Sequence, residues 1–430
     1  MKKSKLLVGI TALSLAMTMV VPTAMPTGAA MEIVKGDEEV KIVEGRCGDN
    51  ANYSYDEVKK VLTISGTGDM WDDSGFAKTA EEAKTVIIEK GITSIGNSSF
   101  YDLEYVENVE IPDTVTTIKS RAFSIIGGTL TIPASVTKVE SRAITVADKI
   151  IVQGNMDDYE YAAFGSGAKI VEIGGTANKL GYALADVYEF DDISVTISKN
   201  NTQCKIANGC LMSEDGRTVY YYVSEKTKVV IPDSVQTIQP AAFFNKDVNE
   251  LVLGKNVKTI GEYAFSHSEL RKITTNANLK TIKRCAFERT WLKDVTFKSN
   301  VTIYPEAFSK NVKIYSTKSF KYSKSVVTSA KFEKKKISIK YCGFAGANGY
   351  QVRIKYGNKT YNYITLKNSI SIKTPTTLKN TYNVQYDYDI AEYTLKAEGK
   401  PAYVTVRPYK MLKNNKRIYG KWSSKYILSK

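Results

Sequence analysis

The chain has a single histidine, His267, in 430 residues. That leaves no spare parts for a Ser-His-Asp or Cys-His site and excludes a histidine-based zinc cluster. Five cysteines, Cys47, Cys204, Cys210, Cys285 and Cys342, are too few and odd in number for a disulfide framework. Cys204 and Cys210 are close enough to pair across a hairpin; the other reading makes all five small buried hydrophobes. No phosphate-cradling or dinucleotide motif is present, and Gly66-Thr67-Gly68 reads as a turn because no helix pattern follows it. Beyond residue 30 no segment approaches the roughly 18 apolar residues of a helical membrane span. No cofactor and no metal is expected.

The first 30 residues read as a signal peptide. Lys2, Lys3 and Lys5 precede an uncharged apolar run, Leu6 to Val21, and small residues lead to a cleavage site after Ala30, with Ala24 as the second choice. An uncleaved N-terminal anchor is the alternative reading. No cysteine follows the apolar run, so a lipid-anchored terminus is not expected. The chain ends at Lys430 without an apolar tail, so an exported chain is expected to carry no membrane segment.

Acidic residues are scarce at the C-terminal end. Residues 309–430 carry about 26 Lys+Arg against 5 Asp+Glu, and residues 31–308 about 31 against 40. An acidic region therefore precedes a basic one.

What is present is a repeat. The pattern I-P-x-x-V-x-x-I-x-x-x-A-F recurs at a period near 22. One copy runs Ile111, Pro112, Val115, Ile118, Ala122, Phe123, and the next Ile132, Pro133, Val136, Val139, Ala143, Ile144. It returns as Ile231, Pro232, Val235, Ile238, Ala242, Phe243, then with Ala264-Phe265 and Ala286-Phe287, and looser copies end at Phe100 and Phe308. A fixed period of this size predicts a solenoid, each unit burying its apolar face against its neighbours. Between copies, Val248-x-x-Leu251, Leu270-x-x-Ile273 and Leu292-x-x-Val295 give a strand. Proline after the isoleucine ends it, since it has no N–H to donate.

The segments Gly45 to Asn50, Tyr53 to Asp56 and Leu62 to Met70, together with this repeat, resemble the BspA-like leucine-rich repeat surface proteins, over roughly residues 44–315. Domains are expected at 31–85 (a β cap), 86–315 (a leucine-rich solenoid, irregular at 145–230), 316–328 (a linker) and 329–430. Asn208 to Leu211 with Asp215-Gly216 resembles the longer repeat variant of that family. About seven short alternating strands after Ser329 suggest a β-sandwich. Gly349 to Val352, Tyr403 to Tyr409 and Tyr419 to Ser423 resemble a fibronectin type III-like module. The fold class is mostly β, a leucine-rich solenoid followed by that sandwich.

Paired acids occur at Asp72-Asp73, Asp157-Asp158 and Asp191-Asp192, but sequence neighbours point apart and suit solvated loops better than catalysis. His267, just past a repeat phenylalanine, is expected on an exposed turn. No enzyme is expected. The candidate site is the concave face, with Glu107, Asn108, Glu110, Thr129, Thr131, Asn249, Glu250, Arg271, Lys272, Thr274, Lys293, Asp294 and Thr296 pointing outward. A second candidate, for polyanion, is Lys334, Lys335, Lys336, Lys413, Lys416, Arg417 and Lys421. The resemblance implies a surface protein that binds extracellular protein or glycan in adhesion; the leader implies export, a monomer is expected, and the basic C-terminal region gives anionic wall polymer as the alternative, with nucleic acid not expected. A polysaccharide-active enzyme is the third reading.

Overall fold

The computed structural model describes residues 31–428 except 36–37, 77, 186–192, 310, 317–319, 334–335, 346, 357–358, 366, 368, 374–382, 388–391, 398–399 and 412–416. The expected signal peptide and Asp191-Asp192 lie outside the described residues. Among those described, the one helix is Leu180–Ala183, and no helix is long and apolar enough to cross a membrane.

The cap is an antiparallel meander of Glu38–Arg46, Gly48–Asp56 and Val61–Met70. Gly66 sits at φ +106° with its Cα hydrogen side against the Asn50 carbonyl, a place where a Cβ would come within 2.2 Å. The bend there splits the last cap strand. Its first half pairs in parallel with Thr85–Ile88 and its second with Ile92–Ile95, which starts the coil.

Each coil then contributes one strand to each of two parallel sheets. One sheet runs through Asn108–Glu110, Phe123–Ile132, Ile144–Val152, Phe164–Ile173 and Ser194–Ile197. The other runs through Thr117–Ile118, Lys138–Val139 and Asp158–Tyr159. Val115, Ile118, Val136 and Val139 close the interior between them, all essentially fully buried. The residue before each Ala-Phe, or before its counterparts Ser99-Phe100 and Ala143-Ile144, takes a left-handed conformation: Ser98, Arg121, Arg142, Ala162, Ala241, Tyr263, Cys285 and Glu306 all have φ between 52° and 57°. That reversal aims each backbone N–H at the next coil, as Arg121 N to Arg142 O at 3.1 Å and Tyr263 N to Arg284 O at 3.1 Å. The phenylalanines stack beneath it. Phe243, Phe265, Phe287 and Phe308 follow one another at centroid distances of 4.6, 5.2 and 5.0 Å.

The stretch expected to be irregular divides in two. Through Ile197 the coils continue in register; the pattern only changes residues, with Met156 and Tyr159 filling the interior positions held by Val136 and Val139. The break comes after it. Cys204–Ala207, Cys210–Ser213 and Thr218–Tyr222 form an antiparallel meander whose last strand restarts the second sheet at Thr237–Ile238. Both faces of this meander are buried: Leu211 and Tyr221 join the N-terminal core, Cys210, Met212 and Tyr222 the C-terminal one. Such a wall between two cores needs a continuous apolar run, and Tyr220-Tyr221-Tyr222 supplies one. It also rules on the cysteine pair. Ala207 faces Cys210, so Cys204, three residues earlier, points to the opposite side of the sheet, and both thiols are free and buried. Burial pushes Cys210 up to about 12.

The C-terminal coils run to the second-sheet strands Thr259–Ile260, Thr281–Ile282 and Val301–Ile303. The segment read as a linker is not one throughout. Phe320–Tyr322 pairs with Val301–Ile303 as a further rung. Tyr322 then packs against Phe344 at 4.9 Å and donates to the Ala345 carbonyl at 3.1 Å, while Glu306 N donates to Gly343 O at 2.7 Å. Beyond it, the sheet of Val327–Glu333, Lys336–Tyr341 and Ser369–Lys373 and the sheet of Lys359–Thr365, Gly349–Tyr356, Tyr403–Met411 and Arg417–Tyr419 share Ile337, Ile339, Val352, Ile354, Val404 and Val406 in one core. Two sheets over one core are compatible with a β-sandwich. That core is continuous with the C-terminal coils.

Candidate binding face of the repeats

All thirteen candidate face residues lie on or beside the longer-strand sheets, and none is fully buried. The structure divides them among three hydrogen-bonded sheets. Glu107, Asn108, Glu110, Thr129 and Thr131 belong to the N-terminal sheet. Asn249, Glu250, Arg271, Lys272 and Thr274 flank or line a separate sheet of Lys228–Val230, Glu250–Val252 and Lys272–Thr274. Lys293, Asp294 and Thr296 belong to a third piece, Asp294–Phe297 with Lys313–Ser316.

Much of the charge on this face is internally paired. Glu250 lies between Lys272 at 3.1 Å and Lys228 at 3.3 Å, and the two lysines, Lys272 first, hold its carboxyl below the usual carboxylate range. Glu107 pairs with Lys84 at 3.1 Å. Exposed pairs of this kind are screened by solvent, add little stability and keep a polar sheet face soluble.

The exception is the seam between Lys272–Thr274 and Asp294–Phe297. A cleft of about 530 Å³ opens there, lined by Arg271, Lys272, Ile273, Trp291, Lys293, Asp294, Val295 and Thr296. Five of the thirteen predicted residues meet in it. Trp291 is 61% exposed, and the Arg271 guanidinium lies over its ring at 5.0 Å. Asn249 accepts from Arg271 Nε at 3.4 Å. Tyr315, opposite Thr296 on the next rung, is 52% exposed. Residue-by-residue reading of the strands missed Trp291 and Tyr315. The signal for Trp291 was available: it occupies the phase filled by Asp247 and Glu269 in the two preceding repeats.

Of the polyanion candidates, Lys334, Lys335, Lys413 and Lys416 lie outside the described residues, and Lys336 opens a strand. Arg417 lies over Tyr409 at 5.1 Å, and Lys421 is exposed. The structure adds a feature nearby. The guanidiniums of Arg353 and Arg407 lie against the Trp422 ring at 4.1 and 4.4 Å, and Arg407 also covers Tyr419 at 4.0 Å.

His267 is half-buried rather than fully exposed. A left-handed turn, φ 62°, lays its ring against Phe244 at 5.2 Å and brings Nε2 to 3.5 Å from Arg289. Burial, and then the Arg289 charge, lower its pKa. The acid pairs have separate local partners. Asp72 accepts from Asn97 N and Lys119 Nζ, both at 2.9 Å, and Asp157 accepts from Asn178 Nδ2 at 2.6 Å. Among the described residues no three His, Cys, Asp or Glu side chains cluster as metal ligands.

With this geometry in place, the comparisons fit the coil. The family model described as BspA type leucine rich repeat region matches residues 71–181 and 216–318, in six copies. Among solved structures, the chain is similar to a leucine-rich repeat protein from Eubacterium ventriosum, at 16% identity over 63% of this chain and 95% of that one, with a TM-score of 0.35. A leucine rich cell surface protein from Faecalibacterium prausnitzii gives 15%, 63%, 94% and 0.38. The pneumococcal vaccine antigen PcpA gives 15%, 65%, 93% and 0.36. No curated protein matches the sequence.

Proposed function

Because the coils of this chain belong to the BspA-type leucine-rich repeat family, we propose that it is an exported cell-surface protein that binds an extracellular protein or glycan through the outer face of its repeats. The observation that carries this reading is the seam cleft. A sheet face that only needs solubility is served by paired lysine and glutamate, as around Glu250; a tryptophan 61% exposed beside an arginine is the composition of a binding hot spot. Surface location is supported by the family, and export by the lysine-headed apolar segment ending near Ala30.

The test is an array of matrix proteins and glycans probed with the full chain and with Trp291→Ala. A saturable ligand lost by the variant is the expected result. Ligands bound equally by both would move recognition off this face. Intact mass of exported material tests the leader: a chain beginning at Met1 would remove the export reading.

A second reading has its own observation. Arg353, Arg407 and Arg417 stack on aromatic rings, and none of them has an ion-pair partner among the described residues. Nε of Arg353 donates to Asn362 Oδ1 at 3.3 Å and Nε of Arg407 to Gln351 Oε1 at 2.9 Å, which leaves the terminal N–H groups of these guanidiniums to meet phosphate or carboxylate. Binding of the full chain to anionic wall polymer should then fall steeply with salt, and more weakly in Arg353→Gln/Arg407→Gln. The full chain is the material to use, since the module and the last coils share one core.

A further inference from the structure

We propose that the seam cleft binds an acidic saccharide, one sugar ring lying on Trp291 with its carboxylate toward Arg271 and Lys293. This rests on the reading of the repeat face as the recognition surface and names its ligand class.

Three observations converge. First, the backbone ladder is interrupted at the seam. Arg271 N donates to Asn249 O at 2.9 Å, and Lys313 N to Lys293 O at 3.0 Å, yet among the described residues no backbone bond joins the Arg271 and Lys293 rungs. Thr275 Oγ1 donates to the Thr296 carbonyl at 2.6 Å, and the other main-chain groups that the neighbouring rungs pair with each other have no backbone partner across this seam among the described residues. Hydroxyl-rich molecules, which donate and accept at close intervals, suit such a row.

Second, Trp291 offers a platform. One guanidinium at 5.0 Å covers one face, and 61% exposure leaves the other open. An indole face is electron-rich. The C–H face of a pyranose is its complement, and it needs no large partner surface. A protein partner would have to desolvate the Lys228–Glu250–Lys272 row beside the cleft, which is already paired at 3.3 and 3.1 Å.

Third, the charge in the cleft is sorted. Lys272 is engaged by Glu250. Arg271 is steered by Asn249, a neutral partner that leaves its charge uncompensated, and Lys293 has no ion pair among the described residues. Asp294 and Thr296, which line the same cleft, supply acceptors for sugar hydroxyls. Two cations without an ion pair among the described residues, lining the same cleft as hydroxyl acceptors, describe a uronate-type sugar better than a neutral one.

The experiment titrates the full chain with oligogalacturonate and with its carboxyl-reduced, neutral counterpart, by calorimetry. Saturable binding of the acidic form is expected, with the neutral form at least tenfold weaker. Trp291→Ala should weaken the acidic form at least tenfold. Arg271→Gln/Lys293→Gln should erase the preference while keeping residual binding of both forms. Trp71→Ala, an exposed tryptophan of the cap, should change nothing. Equal binding by the parent chain and Trp291→Ala overturns the site. Absence of saccharide binding, while an array ligand is still lost by Trp291→Ala, overturns the ligand class and leaves the recognition face standing. If no ligand of any kind depends on Trp291, the underlying reading fails as well.

Discussion

The N-terminal and C-terminal coils share one period but hold themselves together differently. From Phe123 onward the strands of the N-terminal coils are long. Phe123–Ile132, Ile144–Val152 and Phe164–Ile173 run from the repeat phenylalanine phase into the outer sheet without a break. The aromatic stack is interrupted there, since Ile144 stands where Phe123 and Phe164 stand. In the C-terminal coils the reverse holds. Outer strands are three or four residues long and fall into two separate sheets, while the ring stack runs unbroken from Tyr222 through Phe308. Backbone pairing thus dominates one half and side-chain stacking the other. The half that relaxes its backbone ladder is the one that opens a cleft.

The largest expected effect tests this contrast directly. Phe265 is fully buried between two parallel rings at 4.6 and 5.2 Å. Phe265→Ala should destabilise the full chain by about 3–5 kcal/mol in chemical denaturation. Ile144→Ala, at the same phase in the half held by its backbone, should cost about 2 kcal/mol. Exposed Glu269→Ala should cost under about 0.5 kcal/mol. Equal losses at Phe265 and Ile144 would mean that the ring stack makes the C-terminal coils no more dependent on this side chain than the half held by its backbone.

The interior of both halves was legible because spacing alone fixes it: Phe243, Phe265 and Phe287 recur at one phase and all are buried. The coils from Ile144 to Ile197 were harder to see. Met156 and Tyr159 fill the same interior sites with different shapes, which a residue pattern does not recognise as equivalent. Phe320–Tyr322 was hidden by its lysine- and serine-rich surroundings, although pairing needs only backbone. The candidate face was legible position by position, but its division into pieces was not. A seam arises from the offset between coils some 20 residues apart, and single-strand patterns carry no such information. Trp291 was visible only as a departure from the acidic phase of its neighbours.

A smaller effect, of opposite sign, concerns the turn that both halves share. Arg121 is exposed and held at φ 53°, a conformation that costs an L residue about 1–2 kcal/mol and glycine little. Arg121→Gly should therefore stabilise by about 0.5–1 kcal/mol after the extra entropy of glycine is subtracted. Cys285→Gly, at the equivalent turn in the C-terminal coils, removes a buried side chain and should destabilise. Thermal melts that shift the same way for both would break the equivalence of the two turns.

The smallest effect concerns the loops, where each half ties one coil to the next through an aspartate. Asp72 accepts from Asn97 N and Lys119, and these contacts, the backbone one first, hold its carboxyl below its ordinary value. Asp233 accepts from Lys255 N and from its ammonium, both at 2.8 Å, with the ammonium leading. A depressed folded-state pKa adds stability above the unfolded value and loses it as pH falls. The advantage of the parent chain over Asp72→Asn should therefore be present at pH 7 and close below about pH 4. Its size is set by exposure. Asp72 is 55% exposed, so solvent screening keeps the gap below about 1 kcal/mol. Salt separates the two contributions. A backbone N–H survives added salt, whereas an exposed ammonium is screened within about 8 Å at physiological strength. Raising salt at pH 7 should leave most of the Asp72 gap in place and remove most of the Asp233 gap. Identical salt responses would mean that both loops depend on the same contact, and that the two halves differ in their sheets alone.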